Sequence, residues 1–168
     1  MGFCDFFKNL FGGAKPKYAP EELNIDITSN VININGNIID VPCHLDALKK
    51  FLGKPRKFVG KSGNINFTWD ELGLYCYTKG NNVVYCMAVK ANFGEIQTDF
   101  DPKKLFKGKL TICGAPWEEV MHGGDDLEVA RERTLDGLSL FAEYTDMDKG
   151  DSEGFVGAYT GVEVQLGS

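Results

Sequence analysis

Hydrophobic and polar residues alternate with a period of two between positions 24 and 41. Ile25 and Ile27 begin this pattern, and the runs Val31–Ile34 and Ile38–Val41 continue it. Such alternation is typical of strands with one buried face. Asn35-Gly36 lies between the two runs, and Asn-Gly is favoured in two-residue hairpin turns because both central residues need positive φ. The pattern predicts a β-hairpin.

The spacing then becomes helical. Leu45, Leu48 and Leu52 predict a short amphipathic helix from His44 to Phe51 that ends at Gly53. Alternating runs return after the helix and predict three strands in a meander, Asn64–Trp69, Leu72–Thr78 and Val83–Lys90. The first half of the chain is therefore predicted to fold as a hairpin, a helix and a meander.

Two stretches of the second half resemble the first half. Leu110–Trp117 resembles Ile32–Ile39, and Leu138–Tyr144 resembles Leu72–Thr78. A polar loop at Asp146–Gly154 and a strand at Phe155–Leu166 are predicted to follow. The similarity leaves open a tandem repeat of hairpin–helix–meander units, at residues 23–104 and 105–168.

The first 22 residues differ from the rest of the chain. Aromatic and leucine residues recur at helical spacing from Phe3 to Phe11, Gly12-Gly13 ends the helix, and Lys15-Pro16-Lys17 reads as a linker. We predict an N-terminal amphipathic segment and linker over residues 1–22 and a single α+β domain over 23–168. The domain is predicted to be mostly antiparallel sheet with one or two short helices.

Composition narrows the class of protein. The 168 residues are 43% hydrophobic and 25% charged, the balance of one compact domain. No apolar run approaches the ~20 residues of a membrane-spanning helix, and no secretory signal is evident. The chain has five cysteines, an odd number with no C-x-x-C pair. Reduced thiols and a cytoplasmic location are therefore expected.

Negative charge is concentrated at the end of the chain. Residues 119–168 carry 12 acidic and three basic side chains. Binding to nucleic acid requires basic residues, so no nucleic-acid partner is predicted. An acidic surface attracts a basic protein partner, although it can also serve only solubility. The acidic candidates for partner binding lie in two predicted loops: Asp125, Asp126 and Glu128, and Asp146, Asp148, Asp151 and Glu153.

Few residues occur in patterns that are typical of catalytic or metal-binding sites. Cys43-His44 is the only adjacent thiol–imidazole pair, and its position before the helix favours capping or burial over catalysis. His122 near two aspartates is a weak metal candidate, and Asp146–Glu153 does not fit the register of an EF-hand calcium loop. No nucleotide-binding or hydrolase motif occurs. We predict no catalytic site, no metal site, no cofactor and no enzymatic activity.

An aromatic face is predicted around Asn81. A turn centred there gives three facing pairs, which are Cys76 with Cys86, Tyr77 with Tyr85, and Tyr75 with Met87. Both faces of this sheet are apolar, so both should be shielded from water. The helix would pack on one face, and the second repeat or a partner would pack on the other. Tyr and Met are common in protein interfaces. The predicted partner-binding residues here are Tyr75, Tyr77, Tyr85 and Met87.

Three motifs resemble a group of small, poorly characterised bacterial proteins. They are Ile34-Asn35-Gly36, Leu52-Gly53-Lys54-Pro55 and Thr68-Trp69-Asp70-Glu71-Leu72-Gly73-Leu74-Tyr75, and the resemblance spans about residues 24–117. The N-terminal segment, from Met1-Gly2-Phe3 to Gly13, resembles the start of small cytosolic bacterial proteins. These include immunity proteins encoded beside secreted toxins. The resemblance supplies no catalytic residues.

These observations predict a cytoplasmic, immunity-type protein that binds and occludes a basic toxin or effector domain. Aromatic residues would lie at the centre of the interface, with acidic residues at its rim. One alternative is a peripheral membrane or envelope-assembly adaptor, in which membrane contact is possible only through residues 1–13. Another alternative is a small-ligand-binding domain.

Overall fold

The computed structural model describes residues 15–61, 63, 65–90, 99–121, 132–135, 138–146 and 151–160. Within these ranges the chain forms two β-sheets, two α-helices and two short 3-10 helices. The α-helices are α1 (Leu45–Leu52) and α2 (Trp117–Met121), and the 3-10 helices are Pro20–Glu22 and Gly80–Asn82. The strands are β1 (Asn24–Ile27), β2 (Val31–Ile34), β3 (Asn37–Asp40), β4 (Cys43–His44), β5 (Arg56–Val59), β6 (Ile65–Trp69), β7 (Leu74–Lys79), β8 (Val83–Lys90), β9 (Lys109–Ile112), β10 (Ala115–Pro116), β11 (Glu132–Leu135), β12 (Leu138–Asp146) and β13 (Asp151–Thr160).

The small sheet has five strands in the order β10-β9-β1-β2-β3. Its strands pair antiparallel except for β1 and β9, which run parallel. The predicted hairpin is confirmed, with positive φ at Asn35 (49°) and Gly36 (82°). The β9–β10 hairpin turns in the same way, at Cys113 (φ 51°) and Gly114 (φ 83°). The two stretches that resemble each other in sequence therefore share their turn geometry.

The large sheet is antiparallel and has the order β11-β12-β13-β8-β7-β6-β5. One edge of β8 is shared, since β4 pairs with Val83 and Val84 and β13 pairs with Cys86 to Lys90. Both sheets contain strands from both halves of the chain. The mostly antiparallel α+β fold predicted from the sequence is confirmed.

The core lies between the two sheets and α1. Alternate residues of β1, β2 and β9 are buried, and they join the apolar side of α1 in one cluster with residues of β6, β7 and β8. The helix begins after His44, whose Nδ1 accepts a hydrogen bond from the Asp46 amide at 3.3 Å. It ends at Gly53, which has a φ of 77°. The predicted helix is confirmed to within one residue.

The predicted register between β7 and β8 is wrong beyond the turn. Thr78 pairs with Val84, but a bulge then leaves Tyr85 as an extra residue on β8. The bulge shifts every later pair by one residue. The observed pairs are Tyr77 with Cys86, Cys76 with Met87, and Tyr75 with Ala88.

The predicted loop at Asp146–Gly154 is too long. Strand β12 continues to Asp146 and β13 already begins at Asp151, where the two residues pair. The backbone ladder therefore extends through residues whose charged side chains predicted a loop. Glu153 lies within β13.

The described part of the predicted linker lies against the domain. The Lys17 amide donates a hydrogen bond to the Phe51 carbonyl at 2.8 Å. Tyr18 packs against the core, and its hydroxyl oxygen accepts from Asn37 Nδ2 at 2.9 Å. The aromatic segment over residues 1–13 lies outside the described residues.

Candidate protein-binding site

Among the residues that the structure describes, five aromatic side chains form one cluster on the side of the large sheet that faces away from the core. We call them the outer aromatic face. Tyr75 is at its centre, with ring centroids 5.9 Å from Tyr77 and 5.6 Å from Phe100, both in edge-to-face geometry. Tyr85 lies 6.4 Å from Tyr77, and Phe58 lies 6.0 Å from Phe100. These spacings are those of favourable aromatic pairs.

The structure brings together three of the four apolar residues predicted to bind a partner. Tyr77 and Tyr85 are half-buried, whereas Tyr75 is fully buried beneath them. Lys79 Nζ lies 5.1 Å from the centroid of the Tyr85 ring, a cation–π distance. Burial raises the pKa of Tyr85 above its ordinary value, so its phenol is neutral at physiological pH.

Met87 does not belong to this face. It is 2% exposed and lies in the core with Cys76, because the bulge at Tyr85 moves it to the other side of the sheet. A partner that binds the outer aromatic face cannot contact Met87. This corrects the placement predicted from sequence.

Part of the cover of this face comes from the chain itself. Residues 99–106, which we call the strap, lead from the end of the large sheet back towards the small sheet. Phe100 of the strap packs on Tyr75 and Tyr77. The carbonyl oxygen of Phe100 accepts a hydrogen bond from Thr68 Oγ1 at 2.8 Å. The second cover predicted from the sequence is therefore supplied in part by this connection.

Arg56 anchors the strap to the edge of the sheet. Its guanidinium binds both carboxylate oxygens of Asp70 at 2.8 Å. It also donates to the carbonyl oxygens of Asp99 at 2.7 Å and Asp101 at 3.0 Å. Hydrogen bonding to Arg56 holds the pKa of Asp70 below its usual range, so the pair stays charged at neutral pH.

A second ion pair lies beneath the strap. Lys90 Nζ is 3.5 Å from Asp101 Oδ1, and their side chains are only 4% and 8% exposed. The Phe106 amide donates to the Lys90 carbonyl at 2.8 Å. Each of two opposite charges that are buried in this way is stabilised by the other. The ion pair therefore fixes the strap to the sheet.

Gly73 explains part of the Thr68–Tyr75 motif. Its φ is 68°, and a Cβ atom there would overlap the backbone nitrogen of Phe106. Only glycine allows the strap to approach the turn between β6 and β7 so closely.

The Leu52–Pro55 motif and the Thr68–Tyr75 motif line a groove of about 330 Å³. Lys54, Arg56 and Lys103 contribute positive charges, and Asp70 and Glu71 contribute negative ones. Arg56 is paired with Asp70, and Glu71 is paired with Lys104. Three of the five charged groups that line the groove, Arg56, Asp70 and Glu71, therefore form ion pairs within the protein.

Asn66 adds a polar group to the aromatic cluster. It lies on β6 between Phe58 of β5 and Tyr77 of β7, and it is 8% exposed. No donor among the described residues lies within hydrogen-bond distance of Asn66 Oδ1. A buried acceptor without a donor is costly. Sequence reasoning missed Asn66, although its alternation with Phe67 signals the outer side of β6.

Four of the seven predicted acidic candidates lie outside the described residues. Asp125, Asp126, Glu128 and Asp148 lie outside the described residues, as does His122. Asp146 and Asp151 pair across the end of the β12–β13 hairpin. Two of the predicted residues are therefore backbone partners at the end of this hairpin.

Cys43 and His44 do not form a nucleophile–base couple. Burial raises the pKa of Cys43 to about 11, so its sulfur is a thiol at neutral pH. His44 Nδ1 is used as the acceptor that caps α1. In the ranges that the structure describes, no group of three or more His, Cys, Asp or Glu side chains is placed to hold a metal ion.

Among the described residues, no helix has the length and apolar character needed to cross a membrane.

Comparisons with known proteins identify a family but no relative of known activity. No curated protein and no solved structure matches the chain. One family model matches residues 24–126, which is more than half of the 168-residue chain. This region holds every strand from β1 to β10, the strap and the outer aromatic face. The chain therefore belongs to the family described as Domain of unknown function (DUF7738).

Proposed function

We propose that the protein is a non-catalytic, cytoplasmic protein of the immunity type. It binds a basic toxin or effector domain through the outer aromatic face and thereby occludes that domain. The observation that carries this proposal is the cluster of four half-buried aromatic side chains, Phe58, Tyr77, Tyr85 and Phe100, around the buried ring of Tyr75.

Aromatic side chains in such a setting suit tight binding. Tyr is enriched among the residues that dominate interface energies, since its ring buries a large area and its hydroxyl can hydrogen-bond. Tyr77 is held by the rings of Tyr75, Tyr85 and Phe100. A side chain that is already held in place loses little conformational entropy when a partner binds. The buried oxygen of Asn66 offers an acceptor beside this cluster to an N–H or O–H group of the partner.

The acidic end of the chain supports a basic partner. Residues 119–168 carry 12 acidic and three basic side chains, and the β12–β13 hairpin joins the large sheet next to β8. Complementary charge mainly accelerates association, whereas buried aromatic anchors govern dissociation. The acidic residues would therefore guide a basic domain towards the sheet that carries the aromatic cluster.

Substituting Tyr85→Ala is expected to weaken partner binding by about 30-fold or more, as for an interface residue worth about 2 kcal/mol. Tyr77→Ala is expected to have a similar effect. The partner is first isolated with the full chain from cells of the source organism, and the Kd of each purified pair is then measured by calorimetry.

The matched control is Ile38→Ala. Ile38 is a large apolar residue on β3 of the small sheet and is 70% exposed. Its substitution is expected to leave the Kd unchanged. Equal affinity of wild-type protein, Tyr77→Ala and Tyr85→Ala for the partner, with all three folded, would contradict the proposed binding face.

A further inference from the structure

The small sheet carries a polar cleft on the side that faces away from the core. The cleft has a volume of about 240 Å³ and lies between the two hairpin turns, Asn35-Gly36 and Cys113-Gly114. Three neighbouring strands contribute to it in register, since Asp26 of β1 pairs with Asn33 of β2 and with Thr111 of β9. It is distinct from the outer aromatic face, which belongs to the other sheet.

Most polar groups of the cleft are fixed by internal hydrogen bonds. Asp26 Oδ1 accepts from Thr111 Oγ1 at 2.6 Å and from the Gly114 amide at 2.9 Å. Asn35 Oδ1 accepts from the Asn24 amide at 2.6 Å. These bonds hold the Asp26 carboxylate in a defined position, so the cleft is built before a ligand arrives.

Asn33 is the exception. Its Oδ1 atom is buried, yet no donor in the described part of the chain lies within hydrogen-bond distance. Asn33 also lines the cleft, directly across the strand pair from Asp26. A buried acceptor beside a carboxylate needs a donor, and a positively charged donor satisfies both groups.

We infer that this cleft binds a cationic N–H donor, a guanidinium or a primary ammonium group. Asp26 supplies the negative charge and Asn33 supplies the vacant acceptor. Lys109 lies at the exposed rim of the same cleft, where its positive charge opposes a cation. Removing that charge should therefore strengthen binding.

The test uses methylguanidinium as the probe and tetramethylammonium, a cation without N–H groups, as its control. The amide NMR signals of the full-length protein are followed during each titration at constant ionic strength. Saturable shifts at Asp26, Asn33 and Gly114 are expected with methylguanidinium alone. Equal shifts with both cations, or no saturable shift, would overturn the inference.

Three variants separate the roles of the lining residues. Asp26→Asn keeps an oxygen for Thr111 and Gly114 but loses the charge, so methylguanidinium should bind about tenfold or more weakly. Asn33→Val should lose binding by a similar factor, while its Tm rises by about 2–4 °C because the unpartnered acceptor is gone. Lys109→Met should bind more tightly than wild type. Unchanged affinity in Asp26→Asn and Asn33→Val would refute the site.

Discussion

Replacing Lys90 with methionine is expected to lower the free energy of unfolding by about 3–5 kcal/mol, the usual effect of breaking a buried ion pair from one side. The cause is the Asp101 carboxylate, which is nearly inaccessible to water and would lose the positive charge of Lys90. Because Asp101 belongs to the strap, the variant should also loosen the cover of the outer aromatic face. Urea denaturation of wild type and variant measures the difference.

Two controls show whether burial causes this loss. The double variant Lys90→Met/Asp101→Leu removes both charges and should recover much of the lost stability. Lys104→Met breaks the ion pair between Lys104 and Glu71, in which both side chains are more than half exposed. This variant should change the free energy of unfolding by less than about 1 kcal/mol. Similar losses in Lys90→Met and Lys104→Met would mean that the strap is not fixed by a buried pair.

Trp69→Ala is expected to lower the free energy of unfolding by about 3–5 kcal/mol, because it leaves a large cavity in the core. Trp69 is 3% exposed, and its Nε1 donates to the Gly53 carbonyl at 2.9 Å. This bond joins the end of α1 to the last residue of β6. Thermal and urea unfolding of purified protein measure the loss.

The conservative variant Trp69→Phe should lose less stability than Trp69→Ala, since a ring still fills most of the space. It leaves the Gly53 carbonyl without its donor, which costs about 1–3 kcal/mol. Native stability of Trp69→Ala combined with loss of partner binding would instead place Trp69 in the interface.

Local signals in the sequence predicted much of the fold. The Asn35-Gly36 turn and the apolar spacing of Leu45, Leu48 and Leu52 act over a few residues, and the structure has both elements there. The same applies to the turn at Gly80–Asn82. In these places the residues that specify the conformation are neighbours along the chain, so a single sequence reveals them.

Features set by distant contacts were not predicted. The parallel pairing of β1 with β9 joins residues separated by 85 positions, as between Asp26 and Thr111. The strap is positioned by Arg56, which lies 43 positions before Asp99. Neither contact has a local sequence signal.

The candidate site was predicted in part for a similar reason. Period-two alternation placed Tyr75, Tyr77 and Tyr85 near one another, and the structure groups their rings. The bulge at Tyr85 reverses the side of every later residue of β8, so Met87 lies in the core and not on the outer face. A one-residue change in register moves side chains to the opposite face, and alternation alone does not reveal it.

Site-specific photo-crosslinking tests most directly whether the outer aromatic face is the surface that binds a partner. A photoreactive phenylalanine replaces Tyr85 in one full-length protein and Ile38 in another, and both are expressed in the source organism and irradiated. A covalent adduct with a basic protein is expected from position 85 and not from position 38, which lies on the other sheet. An adduct from position 38 with none from position 85 would contradict the proposed binding face.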